Sequence, residues 1–222
     1  MKTLILNATI KLLLGILITS MLIFLPAGSI YFLQGWVLMF TLFIPILISG
    51  ICMIILNPDL LRKRLNDKEK EKEQKIALLA SSIMFASMFI VSGLNHRYGW
   101  IHTPEIVSLC AVGIYLVGYL IYAEVLRENA YLSRIIETSA DQKVISTGLY
   151  SLVRHPMYTS TIIMFLSIPL ILDSTLSFPI MLLYIPIINH RIKHEEKYLD
   201  IHLQGYTSYK QKVKYKIIPF IW

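Results

Sequence analysis

Four apolar runs, each about as long as a bilayer-spanning helix, restrict this chain to a helical membrane architecture. A spanning helix needs about 20 mostly apolar residues, and in lipid its backbone must satisfy its own hydrogen bonds. Leu12–Phe32, Tyr31–Leu56, Ile76–Leu94 and Ile106–Leu126 meet that requirement. Pro26 and Gly28 mark a bend or early exit in the first run, so a tight turn joins it to the second. A further apolar region, Met157–Asn189, is interrupted by Asp173, Ser174 and Thr175. It reads as two short helices of about 15 residues forming a hairpin, too short to guarantee a full crossing. The predicted fold class is all-α: a polytopic helical membrane protein with five or six membrane helices, the last two a short hairpin, followed by a cytosolic C-terminal segment.

Composition agrees. The 222 residues are 55% hydrophobic and 16% charged, with mean hydropathy +0.61. Soluble domains carry roughly 25% charged residues. If the N-terminus is cytosolic, every one of the 21 lysines and arginines except Arg97 falls on the cytosolic side, as the positive-inside rule requires. The net charge of +7 is then a topology signal with some attraction to anionic lipid. No basic, aromatic surface of the kind that binds nucleic acid is present. The N-terminal run lacks a small-residue cleavage site and reads as a retained anchor. Cys52 and Cys110 lie in apolar runs, so a disulfide framework is not expected.

The chain divides by role. Residues 1–126 read as a membrane scaffold and 127–222 as the part that carries chemistry. The alternating run Lys68 to Glu73 reads as a solvated loop or helix end. Segment 127–148 holds Arg127, Glu128, Asn129, Arg134, Glu137, Asp141 and Gln142, too polar to span. Residues 190–204 have helical periodicity, with Ile192, Tyr198, Leu199 and Leu203 on an apolar side and Glu195, Glu196 and Asp200 on other faces. Gly205 is placed to cap that helix. The basic tail Lys210–Lys216 and the apolar end Ile217–Trp222 read as an interfacial anchor closing over the hairpin.

Two polar clusters flank the hairpin, and ionisable groups in such a place point to function. Gly148-Leu149-Tyr150 leads into Arg154-His155-Pro156-Met157-Tyr158 at its first end, and Arg191 with Glu195 and Glu196 lies beyond its second. Proline is favoured at the first turn of a helix. A helix starting at Pro156 therefore directs amides and a positive dipole end at the boundary, where Arg154 adds charge suited to a carboxylate or phosphate. His155, Tyr150 and Tyr158 complete a cradle for an amphipathic, ring-bearing cofactor. Equally, Arg, His and Tyr anchor helices at headgroups. Arg191 and Glu195 are spaced i, i+4 and share a helix face, as a surface ion pair or as groups that orient a substrate carboxylate. His190 and His194, also i, i+4, with His202, make a poor metal set, and no metal is expected. The chain has no nucleophile elbow, phosphate-binding loop or dinucleotide fingerprint. Asp173 reads as a turn residue, and Glu124 and Glu128 as interfacial.

In the ordered set Thr147-Gly148-Leu149-Tyr150, Arg154-His155-Pro156-Met157-Tyr158, Arg191-x-x-x-Glu195-Glu196 and Gly205-Tyr206 with Tyr209, residues 127 to 219 resemble the isoprenylcysteine carboxyl methyltransferase family and its phospholipid methyltransferase relatives. The resemblance implies S-adenosylmethionine as methyl donor, bound at the cytosolic face. It would be contacted by Gln142, Lys143, Val144, Ile145, Tyr150, His155, Pro156, Met157, Tyr158 and Glu196. Arg191, Glu195 and Arg154 are implied at the catalytic centre, with a lipophilic or lipidated acceptor arriving from the membrane. Methyl transfer to a carboxylate is an in-line displacement served by positioning and desolvation, so neither a metal nor a general base is demanded. The expected location is the cell membrane of a bacterium or the endoplasmic reticulum of a eukaryote. Two other readings compete: an NADPH-dependent membrane reductase of the sterol-reductase type, which also resembles the Arg-His-Pro-x-Tyr segment, and a non-catalytic membrane scaffold.

Overall fold

A computed structural model describes residues 1–66, 72–133, 135, 138 and 142–222. Most of the run from Lys68, together with Arg134, Glu137 and Asp141, lies outside the described residues. Those described are helical or loop, without strands.

Four long helices carry the apolar runs: α1 (Lys2–Ala27), α2 (Leu33–Leu56), α4 (Lys72–Tyr98) and α5 (Glu105–Glu128). All four are long and apolar enough to cross a membrane. Between α2 and α4 lies the short α3 (Pro58–Leu65), capped by the Asn57 side chain on the amide of Leu60 at 3.1 Å. α1 begins ten residues before the apolar run and stops where expected: Pro26 sits in its last turn and Gly28 ends it in the left-handed conformation, φ 65°. Outward residues such as Leu13, Leu17, Ile48, Ile55 and Leu120 stay exposed, as lipid-facing positions should. Cys52 and Cys110 are exposed free thiols on that surface.

The hairpin differs from the expected pair of equal helices. Its first arm, α6 (Pro156–Ile171), has 16 residues, or about 24 Å, short of the roughly 30 Å hydrocarbon core. The second arm is broken into a 3-10 turn at Thr175–Ser177, a five-residue α7 (Phe178–Leu182) and α8 (Tyr184–His202). Pro186 explains the break, because it cannot donate to the carbonyl four residues back, at Leu182, and its ring crowds that carbonyl. α8 then runs without interruption through Asn189, so the hairpin arm and the expected 190–204 helix are one element. α8 ends at Leu203 in an extended conformation; Gly205, φ 86°, instead begins α9 (Tyr206–Lys212).

α6 packs along α5, α1 along α4, and α4 along α8. The α5–α6 approach is close at Gly118, where a Cβ would lie 2.8 Å from Met164 Cγ and 3.2 Å from the Met164 amide nitrogen. Small residues at such crossings are how membrane helices bring backbones together. One core cluster extends from Ile23 on α1 to Ile217 in the tail, so scaffold and site share a core. Asp173, φ 52°, pins the hairpin tip to the α4–α5 loop by accepting from the Thr103 amide and hydroxyl and contacting His102.

Candidate active site

The site is assembled by two polar rows, one from the start of α6 and one from α8, closed by the C-terminal tail. At α6, Arg154 and His155 donate their amides to the carbonyls of Tyr215 and Lys216 at 2.9 and 2.8 Å. The His155 carbonyl accepts from Tyr158 and Thr159 as the helix begins. Pro156 has no amide to lose, and the amide of Met157 finds no acceptor among the described residues.

Glu196 organises the interior of this junction. Its Oε1 accepts from Arg154 Nε at 2.7 Å and contacts His155 Nε2 at 3.2 Å, with Lys216 Nζ 4.0 Å from Oε2. Arg154 also donates Nη1 to the carbonyls of Val213 and Lys214, both at 2.7 Å. The Arg154, His155 and Glu196 side chains are all buried. Burial alone would push the Glu196 carboxyl up, but hydrogen bonds from His155 and Arg154 and their charge outweigh it and hold it down at about 2. The sequence placed Glu196 away from the apolar side of its helix; instead it is buried on the face of Ile192. It stands behind the cleft wall, and Arg154 ties the tail and α8 to the start of α6.

In front of this pair lies the second row. Arg191 Nε donates to the Tyr158 hydroxyl at 2.9 Å, and that hydroxyl donates to Glu195 Oε2 at 2.6 Å. His155 Nδ1 lies 3.8 Å from Glu195 Oε1, so one imidazole faces both glutamates. The i, i+4 pair seen in the sequence is therefore joined through a phenol supplied by another helix.

These rows form one wall of a cleft with a cavity volume of about 110 Å³. Apart from Glu196, every predicted site residue lines it: Gln142, Lys143, Val144, Ile145, Tyr150, Arg154, His155, Pro156, Met157, Tyr158, Arg191 and Glu195. Asn129, Leu199, Leu203, Tyr206 and Tyr209 line it too. Tyr150 accepts from Asn129 Nδ2 at 2.8 Å through its hydroxyl, and its carbonyl accepts from the Tyr209 hydroxyl at 2.7 Å. Burial raises the phenols of Tyr150, Tyr206 and Tyr209, so they remain neutral donors at physiological pH. The Tyr206 hydroxyl is buried with no hydrogen-bond partner among the described residues.

Glu128, expected to be merely interfacial, shapes the entry to this wall. It accepts from the Thr147 hydroxyl at 2.8 Å and the Leu149 amide at 3.2 Å. Gly148 between them has φ 47°, and a Cβ there would clash with the Glu128 carboxylate oxygens. Only glycine combines that conformation with that approach. The Thr-Gly pair carried the signal, but its partner lay on another helix. Glu124, by contrast, pairs with Arg127 on the surface.

Residues 106–204 match the family model described as phospholipid methyltransferase. The chain also matches the solved structure of the eukaryotic intramembrane Ras methyltransferase ICMT (isoprenylcysteine carboxyl methyltransferase), with TM-score 0.52, 18% identity, and coverage of 99% of this chain and 97% of that one. No curated protein matches it. Residues 106–204 are thus similar to the phospholipid methyltransferase family model, within a chain whose fold is like that of the solved ICMT structure.

Proposed function

We propose that this protein transfers a methyl group from S-adenosylmethionine to the carboxylate of a lipophilic acceptor at the cytosolic membrane face. The observation that carries this reading is the linked set Arg191–Tyr158–Glu195 in a cleft that Val144, Ile145, Leu199, Leu203, Tyr150 and Tyr206 also line.

The residues fit such a cofactor. A nucleoside with an amino-acid tail needs an apolar, aromatic slot with a few polar contacts. Val144, Ile145, Leu199, Leu203 and Tyr150 supply the slot. The unpartnered Tyr206 hydroxyl and the Met157 amide supply polar contacts, the amide at the positive end of α6. When bound, the cofactor offers a sulfonium-activated methyl group to an in-line nucleophile.

The chain's own contribution is positioning. Tyr158 fixes Arg191 through Nε, so the guanidinium is oriented before an acceptor arrives, and Arg–carboxylate pairing is well suited to bidentate recognition. Glu195 holds the Tyr158 hydroxyl and thereby acts on Arg191 at one remove. Arg154, bonded to Glu196 and two tail carbonyls, keeps the wall in place. An acceptor carboxylate is already ionised at neutral pH, so no proton need be removed. The new bond is carboxylate oxygen to methyl carbon, the broken one sulfur to methyl carbon, and the pair of electrons returns to sulfur.

Two measurements test this. Calorimetry on detergent-purified protein should show binding of S-adenosylmethionine but not of NADPH, weakened in Tyr206→Phe and lost in His155→Ala. Binding of NADPH alone would overturn methyl transfer. Labelled-methyl incorporation with prenylated thiol-acid and phospholipid acceptors then separates the chemistries. Label released as methanol by base marks a carboxyl ester, while a base-stable product marks N-methylation and refutes the carboxylate.

A further inference from the structure

A cluster outside the cleft is not used by methyl transfer. His190 and His194 lie one turn apart on α8, and Glu73 comes from the first turn of α4. One donor atom from each lies within 4.8 Å of the other two. His190 Nε2 is 3.2 Å from Glu73 Oε2, and the two imidazoles have centroids 4.5 Å apart at an interplanar angle of 48°. His190 Nε2 is nevertheless buried without a hydrogen-bond partner among the described residues. A nitrogen so placed, facing a carboxylate without bonding it, is where a cation would sit.

We propose that Glu73, His190 and His194 bind a zinc-class divalent cation that clamps α4 to α8 beside the cleft. Two imidazoles and one carboxylate form a donor set typical of zinc with an open fourth position. Magnesium and calcium prefer all-oxygen sets, and monovalent copper prefers sulfur. Tetrahedral ligands at about 2.0–2.1 Å from zinc lie roughly 3.4 Å apart, so side-chain rotation of about an ångström closes the set. The Glu73 and His190 side chains are 42% and 43% exposed, which lets an ion enter and water complete its shell. The backbone frame is already in place: buried Gln74 donates to the Arg191 carbonyl at 3.4 Å, between the two histidines. His202, grouped with them by spacing, is not part of the set. It stacks on Tyr198 at 4.1 Å and contacts that residue's carbonyl at 2.9 Å.

The test uses the full chain in detergent, purified without a histidine tag and stripped with chelator. Cobalt is added first, then zinc. The expected result is one cobalt per chain with visible absorption bands of a four- or five-coordinate ion, displaced by one zinc. His190→Ala, His194→Gln and Glu73→Gln should each lose those bands, while His202→Ala keeps them. Zinc should raise the melting temperature of the wild type and not of the His190→Ala/His194→Gln pair. Absence of cobalt bands and zinc uptake in folded wild-type protein overturns the proposal, leaving a simple His–Glu pair. Uptake that persists in the double variant overturns it as well. Neither result bears on methyl transfer, which is read separately.

Discussion

Replacing Glu196 with Gln should destabilise the protein by about 3 kcal/mol at pH 7. Its carboxyl is held at about 2 against an ordinary value of 4.5, and each tenfold change in proton affinity is worth about 1.4 kcal/mol. The neutral amide would leave Arg154 and His155 buried without their anion, a loss in the range measured for broken buried pairs. For a chain of this size, about 3 kcal/mol corresponds to a melting shift of roughly 6–12 °C. The pH dependence follows from linkage. The folded state holds fewer protons on Glu196 than the unfolded state, so this stability is fully present above about 4.5 and is lost as pH falls through about 2. Thermal unfolding in detergent, followed by tryptophan fluorescence from pH 7 to about pH 2.5, should show a gap between wild type and Glu196→Gln that narrows below about pH 4.5. The Asp173 carboxyl, which burial raises but Thr103 and His102 hold low on balance, contributes equally to both proteins. If the two proteins melt within about 2 °C of each other at pH 7, the buried junction is not what holds the tail to α6.

Gly148→Ala should cost about 1–3 kcal/mol from its φ of 47° alone. It should also weaken S-adenosylmethionine binding by displacing Tyr150; Gly148→Ala with Glu128→Ala should recover part of the stability loss in a double-mutant cycle. Tyr158→Phe removes the hydroxyl between Arg191 and Glu195 and should lower kcat/KM for the acceptor about 10-fold, for a lost interaction of about 1.4 kcal/mol. Cofactor affinity should change little, which separates positioning from collapse. Tyr209→Phe leaves the buried Tyr150 carbonyl without its donor and should cost about 1–3 kcal/mol in thermal stability. Asp173→Asn should lower the melting temperature without altering acceptor kinetics, because it acts at the hairpin tip.

The membrane class, the four long helices and about half of the cleft-lining residues were legible along the chain. Hydropathy over a spanning length and proline or glycine at helix ends are local signals, and each acts within a few residues. The resemblance likewise marked His155, Tyr158 and Arg191, which the fold brings to one cleft, because a motif is read along the chain. Local signals failed where a residue's role depends on a partner from another helix. Glu196 falls off the apolar side of its helix by periodicity; it becomes a buried anion because Arg154, 42 residues earlier, lies opposite it. Tyr158 reads as one of several interfacial tyrosines until α8 lays Arg191 and Glu195 on either side of its hydroxyl. The second hairpin arm looked like a membrane helix, yet Pro186 and its packing break it. Glu73 joins His190 and His194 only because α4 runs along α8. Which segments are long and apolar enough to cross a bilayer was set along the chain, since transfer free energy is a property of the segment. Which charges are paired was decided by the tertiary structure alone, because a charge can be buried only where the fold places its counterion and donors within about 3 Å.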